Sequence, residues 1–291
     1  MNKKTKNLIE LHIATLILGS NGIFAKLIAL PASQIIFWRS LIAATAIGIY
    51  LLATKNKFLL KEKRDYLILV MLGIFVGVHW VTFFYSIQIS NVAIGYLSLF
   101  TYPVMTAFLE PFLNGEKLHT RDVFSALLVF LGVLVIVPEL NVANIVTQGI
   151  LWGVLSGLLY ALRNIYSRSS VKKYSGPLVM FYQFIVTAIM LLPSVSGNFE
   201  FHLKSVLLLL ILGLVCTAFA HVLLANSLET LKAQTIGVVG SLQVAYSIIF
   251  AALLLSELPT VKTLIGGAII MSAVLFEMKK STLPEVFEIA D

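Results

Sequence analysis

The sequence predicts an all-α polytopic membrane protein. Ten transmembrane helices are expected, arranged as a 5+5 inverted repeat around a central cavity. Three observations predict this class. First, 59% of the 291 residues are hydrophobic and only 12% are charged, against roughly 25% charged in a soluble domain. That leaves too little polar surface to cover a water-soluble globule. Second, apolar runs of about 20 residues recur along the chain, each long enough to cross a hydrocarbon core of ~30 Å. Third, the stretch 73–118 returns as 213–259. Gly73 answers to Gly213, Ala93 to Ala233 and Glu116 to Glu257.

The runs lie at about 8–28, 34–54, 67–87, 92–112, 122–138, 148–167, 177–194, 205–226, 233–255 and 262–278. Each is expected to be helical, because a lone spanning segment has to satisfy its own backbone hydrogen bonds. The first follows a basic start, Met1 to Lys6, and imitates a secretory signal. It runs on to Ile28 with no Ala-x-Ala site after it, so it is expected to be retained. Turn or charge signals separate the others, among them Pro31-Ala-Ser33, Gln88 to Asn91, Asn114-Gly-Glu-Lys117, Lys172 to Pro177 and Glu257-Leu-Pro259. Within the fourth run, Tyr102-Pro103 removes one backbone hydrogen bond and predicts a kink. Residues 281–291 form an acidic tail. The expected units are 1–140, 141–280 and this tail.

The net charge of +7 does not point to nucleic acid, because the positive residues sit in short loops between apolar runs. Numbering those loops alternately puts sixteen of the 21 Lys and Arg on the side of the N-terminus and only Lys204 and Lys262 on the other. This bias predicts that both termini face the cytoplasm and that the host is the inner membrane. Lys26, Arg39 and Arg163 fall within spans. The single cysteine, Cys216, lies in an apolar run, permits no intramolecular disulfide and reads as a small buried hydrophobe.

The two halves correspond further. Gly19–Lys26 lines up with Ala161–Arg168, and Phe37–Ser40 with Phe181–Phe184. Five is odd, so the second half must enter the membrane from the opposite side. Inverted halves of this kind can exchange conformations and so turn an inward cavity outward. The duplication therefore implies alternating access more directly than a pore or an enzyme.

The segments LGSNGIFAKL (18–27), FWRS (37–40) and GEKL (115–118) resemble those of the drug/metabolite transporter superfamily. The chain looks like a ten-span member with two EamA-type domains. That resemblance implies a cavity lined by spans of both halves, peripheral fifth and tenth spans, and a small organic solute such as an amino acid, with export the commoner direction. It names no substrate.

Polar groups inside a span are costly and usually face a cavity or the bundle interior. His79 lies near the middle of the third span, and His221 sits about two positions from its repeat counterpart in the eighth. A neutral histidine there suits a solute or a proton; equally, a neighbouring helix can satisfy it. Arg39 is placed to attract a carboxylate or phosphate, or else to snorkel to the outer interface. Its repeat partner is Gln183. Asn21 is the partner of Arg163, and Asn164 adjoins it. Trp80, Tyr85, Tyr102, Tyr160, Gln243 and Tyr246 are amphipathic groups that suit organic solutes. Lys26 and Arg168 read as interface anchors, and Glu116 and Glu257 as helix-end hydrogen-bond and charge partners. No carboxylate is expected at mid-depth, so proton coupling through a buried acid is unsupported.

No cofactor or metal is expected. The chain lacks a Walker A sequence, paired intramembrane aspartates and a His-Glu-x-x-His motif, which argues against an intramembrane enzyme. A passive channel is the other alternative. The expected partners are a small-molecule substrate and the lipid bilayer. Both halves are present in one chain, so a monomer suffices, and a homodimer stays open.

Overall fold

The computed structural model describes residues 3–56, 58–115, 117–139, 141–195, 202–227, 230–231 and 233–280. Those residues form helices α1 (Lys3–Gly19), α2 (Asn21–Leu27), α3 (Ala32–Ala53), α4 (Lys63–Ile89), α5 (Val92–Leu99), α6 (Tyr102–Asn114), α7 (Thr120–Ile136), α8 (Ile145–Lys173), α9 (Gly176–Leu191), α10 (Leu203–Gly213), α11 (Ala220–Ser227), α12 (Ala233–Leu255) and α13 (Val261–Lys280). The expected tail 281–291 and Glu116 lie outside the described residues, as does the side chain of Arg168.

Among the described residues, eight helical stretches are long and apolar enough to cross a membrane. They correspond to the expected runs except the fifth and tenth. The fifth expected run gives a shorter apolar helix, Asp122–Ile136, and the tenth lies in α13. These two helices pack along each other and against α6 at the edge of the bundle.

Three apolar stretches are not straight rods. The first breaks at Ser20, whose hydroxyl donates to Ile17 O at 2.7 Å. The fourth breaks at Phe100 and Thr101, and α6 restarts with Pro103 in its first turn. A proline is tolerated there, since that N–H has no intrahelical acceptor. The bend expected from Tyr102-Pro103 is thus present, just ahead of the proline. Neither the first break nor the third was expected; the third, Leu214–Phe219, winds as a π-helix between α10 and α11.

Apolar side chains such as Leu127, Phe130 and Leu253 face outward, while small polar groups pack inside. Ser86, Ser98, Ser156, Thr187 and Gln183 are fully buried. Helices in lipid gain no hydrophobic drive from contacting one another, so close backbone approach and hydrogen bonds hold them. α8 shows how: Gly149, Gly153 and Gly157 present a stripe to α4 and α5, and Ser86 Oγ donates to Gly149 O at 2.6 Å. The end of α8 is tied to the start of α4 by ion pairs from Lys173 to Asp65 (2.7 Å) and Glu62 (2.8 Å). Tyr174 donates its hydroxyl proton to Asp65. The Asp65 carboxylate, followed by Glu62, holds the Lys173 ammonium well above its ordinary range, so the joint keeps its charge through neutral pH.

A Cβ at Gly153 would sit 2.5 Å from Ser98 Cβ, whereas one at Gly240 meets nothing nearer than 3.9 Å. Overpacking of this kind costs about 1–3 kcal/mol. Gly153→Val is therefore expected to lower the thermal unfolding midpoint of detergent-purified protein by several degrees, and Gly240→Ala to leave it unchanged.

Candidate substrate cavity

At the centre of the bundle is a cavity of about 90 Å³. Its wall takes Leu18 and Asn21 from α1 and α2, Arg39 from α3, His79, Trp80 and Phe83 from α4, and Tyr96 from α5. Tyr102, Tyr160, His221 and Gln243 come from α6, α8, α11 and α12. Eight of the thirteen polar and aromatic residues singled out in the spans therefore share one wall: Asn21, Arg39, His79, Trp80, Tyr102, Tyr160, His221 and Gln243. His79 and Trp80 both reach it, although consecutive residues on a helix point about 100° apart.

Arg39 sets the character of the site. It is 1% exposed, so it does not snorkel to an interface. Its guanidinium lies over the Trp80 ring, 3.9 Å from the centroid, and Nε donates to Thr217 Oγ1 at 2.7 Å. That hydroxyl in turn donates to Leu212 O at 2.7 Å, a bond that reaches back across the π-helical turn. Nε is the only Arg39 nitrogen with a hydrogen bond to a described residue, and Arg39 lines the cavity. No carboxylate of the described residues pairs with Arg39, and none lines the cavity. The ring holds one face of the guanidinium and the threonine holds one nitrogen. What is left is a planar pair of NH₂ groups, the geometry that grips a carboxylate or phosphate with two parallel bonds.

The histidines are oriented by their neighbours. Ser156 Oγ donates to His79 O at 2.9 Å and so accepts from His79 Nδ1, 2.7 Å away. His221 Nδ1 donates to Thr217 O at 2.8 Å. In both rings this fixes the proton on Nδ1 and leaves Nε2 as an acceptor. His79 stacks on Tyr160 at 4.7 Å between centroids, and Tyr102 meets Tyr160 edge-on at 4.7 Å. The cavity thus combines one bidentate donor, two ring acceptors and several aromatic faces.

The other expected residues lie elsewhere. Arg163, Asn164 and Gln183 form a cluster behind Tyr160. Gln183 Oε1 accepts from Arg163 Nε at 3.1 Å and from Nη2 at 2.8 Å, and Asn164 Oδ1 accepts from Nη1 at 3.2 Å. Tyr246 is packed under Gly19, where a Cβ would lie 2.8 Å from its own Cβ. Tyr85 turns outward against Trp152. A position along a span gives depth but not rotation about the axis, and rotation separates these residues from the wall.

Lys26 does more than anchor an interface. Its ammonium donates to Ser90 O at 2.9 Å and pairs with Glu257 at 3.6 Å. Glu257 also accepts from Val92 N at 3.0 Å, the helix-end role expected of it. Cys216 is buried beside Ser20. Sequence reasoning missed Thr217, Ser156 and Tyr96. Tyr96 donates its hydroxyl proton to Leu18 O at 2.7 Å, next to the Ser20 break. A threonine or serine inside an apolar run carries no mark of such a role.

The fold and the site together are those of a multi-pass helical membrane protein built around a polar and aromatic cavity. The chain belongs to the EamA-like transporter family, whose profile matches residues 8–137 and again 147–278. It is similar to a protein of Bacillus subtilis strain 168 named Uncharacterized transporter YxxF, with 28% identity over 254 residues, 85% of this chain and 81% of that one. The pseudopaline exporter CntI of Pseudomonas aeruginosa is 24% identical over 246 residues, 84% of this chain and 85% of its own. The S-adenosylmethionine uptake transporter of Rickettsia felis is 27% identical over 228 residues, 76% and 74% respectively. One solved crystal structure superposes with a TM-score of 0.66 at 16% identity, spanning 93% of this chain and 96% of its own. At that identity the likeness concerns the fold alone.

Removing the Thr217 hydroxyl leaves a buried charged donor without its acceptor, a loss of about 1–3 kcal/mol. Thr217→Val is expected to destabilise detergent-purified protein by that amount in thermal unfolding. Thr217→Ser, which keeps the hydroxyl, is expected to recover most of it.

Proposed function

We propose that the protein is a secondary transporter that works by alternating access on a small organic metabolite of the amino-acid class, with export as its working direction. The observation that carries this reading is Arg39. A guanidinium buried at the centre of a membrane bundle, on the wall of a cavity and with no acidic partner among the described residues, is complementary to a solute that brings its own carboxylate. The ring acceptors of His79 and His221 suit an ammonium on the same molecule, and the aromatic faces suit its carbon skeleton.

Ten crossings in two inverted halves supply the movement on this reading, with both termini in the cytoplasm and the inner membrane as host. The packing pattern supports it. Advancing each expected span by five carries the α4–α8 contact onto α1–α11. It likewise carries α4–α9 onto α3–α10, and α5–α8 onto α12–α1. The contacts α3–α9 and α7–α13 map onto themselves. The cavity, at about 90 Å³, is smaller than the roughly 300–1,000 Å³ of typical small-molecule sites. Loading a solute therefore requires the helices to part, and the breaks at Ser20, Phe100–Thr101 and 214–219 are the places where they can bend.

In proteoliposomes the wild type is expected to show saturable counterflow, accelerated by unlabelled substrate on the opposite side, in a panel of amino acids and small carboxylates. A channel would give neither saturation nor acceleration. Loss of one charge-assisted contact is worth about 1.5–3 kcal/mol, so Arg39→Gln should cut exchange of the best carboxylate by at least roughly tenfold. His79→Ala should reduce it as well, with the unfolding profile retained. Unchanged flux in both variants removes the cavity assignment.

A further inference from the structure

The interior of the bundle holds two arginines, Arg39 buried and Arg163 half-buried, and the repeat matches them with their roles exchanged. Arg39 answers to Gln183, and Arg163 answers to Asn21. Each half thus has one arginine and one amide, in opposite order. In the second half the pair is made: Gln183 Oε1 accepts two bonds from Arg163. In the first half the same pair is open. Arg39 lies over Trp80 and on Thr217, while Asn21 Oδ1 is buried with no hydrogen-bond partner.

The backbone differs between the halves in the same sense. The first, fourth and eighth expected spans are broken at Ser20, at Phe100–Thr101 and at Leu214–Phe219. Their counterparts, the sixth, ninth and third, are the continuous helices α8, α12 and α4. Every one of these matched pairs has one bent and one straight member. Inverted halves reach the opposite state by exchanging conformations.

We propose that Arg163 is a second specificity residue, presented to the substrate when the carrier turns over. In the opposite state Asn21 takes up Arg39, Gln183 releases Arg163, and the free guanidinium on the cavity is that of Arg163. The inference rests on the alternating-access reading. It also explains why the partners are amides: an amide oxygen satisfies a guanidinium without neutralising it, so the bond can be exchanged. A carboxylate in either place would form a stronger, charge-assisted bond and hold one state.

Two substitutions test this with a readout other than transport. Purified full-length protein carrying Gln183→Glu or Asn21→Asp is treated with 2,3-butanedione, an arginine-directed reagent, and modification is mapped by mass spectrometry. With Gln183→Glu, Arg39 is expected to react at least tenfold faster than Arg163. With Asn21→Asp the order is expected to reverse. Protection of Arg39 by Asn21→Asp without any gain in Arg163 reactivity would overturn the coupling, as would Arg39 remaining the faster residue in both variants. If either charged variant fails to fold, Gln183→Ala and Asn21→Ala replace them. The former is expected to raise Arg163 labelling and the latter to lower it, and equal labelling in the two overturns the proposal. Wild-type counterflow measured alongside separates the two claims. Exchange with uncoupled labelling keeps the carrier and removes the arginine exchange, whereas absence of exchange removes both.

Discussion

Holding a guanidinium in the interior of a membrane bundle costs several kcal/mol unless its charge and its donors are met. Arg39 is met only in part. The Trp80 ring contributes a cation–π contact worth about 0.5–2 kcal/mol, and the Thr217 hydroxyl takes one of five donors. Neither neutralises the charge. Much of the local architecture follows from that residual demand. The π-helical turn at Leu214–Phe219 sets Thr217 where it can accept from Arg39 and donate to Leu212 O. It also starts α11 one residue before His221, whose Nδ1 bonds the Thr217 carbonyl. Trp80, pinned under Arg39, rests on the buried ring of Phe184 of α9.

The membrane class and the rough position of each helix were legible in the sequence, because lipid leaves few alternatives. A segment in hydrocarbon has to be apolar, about 20 residues long and helical. Composition shows this directly, and the family match to residues 8–137 and 147–278 agrees with it. The bend near Tyr102-Pro103 was legible too, since a proline marks the loss of a backbone donor. The breaks at Ser20 and at Leu214–Phe219 were not, because neither holds a proline and a π-turn depends on what the helix packs against. Within the site, residue type gave the chemistry while span position gave only depth. Arg163, Gln183 and Tyr246 have suitable depth, yet two of them bond each other and the third packs under Gly19.

All three of the broken spans contribute residues to the cavity wall. Leu18 and Asn21 flank the Ser20 break, Phe100 lies in the second with Tyr102 just after it, and Thr217, inside the third, holds the cavity residue Arg39. On the alternating-access reading proposed above, a ligand drawn to Arg39 contacts groups whose spacing changes when these breaks straighten. On that reading, binding and shape are connected at short range, through adjacent residues rather than a long chain of contacts. The peripheral pair α7 and α13 adds no residue to the cavity wall, in keeping with a supporting role at the edge.

The most direct test uses Trp80 itself, since its ring lies 3.9 Å beneath the guanidinium. With Trp38→Phe and Trp152→Phe it becomes the only tryptophan, and its emission reports the charge above it. A carboxylate that the protein exchanges should change that emission saturably, its matched amide should not, and the response should vanish in Arg39→Gln. Equal responses to carboxylate and amide, or a response that survives Arg39→Gln, would contradict the account.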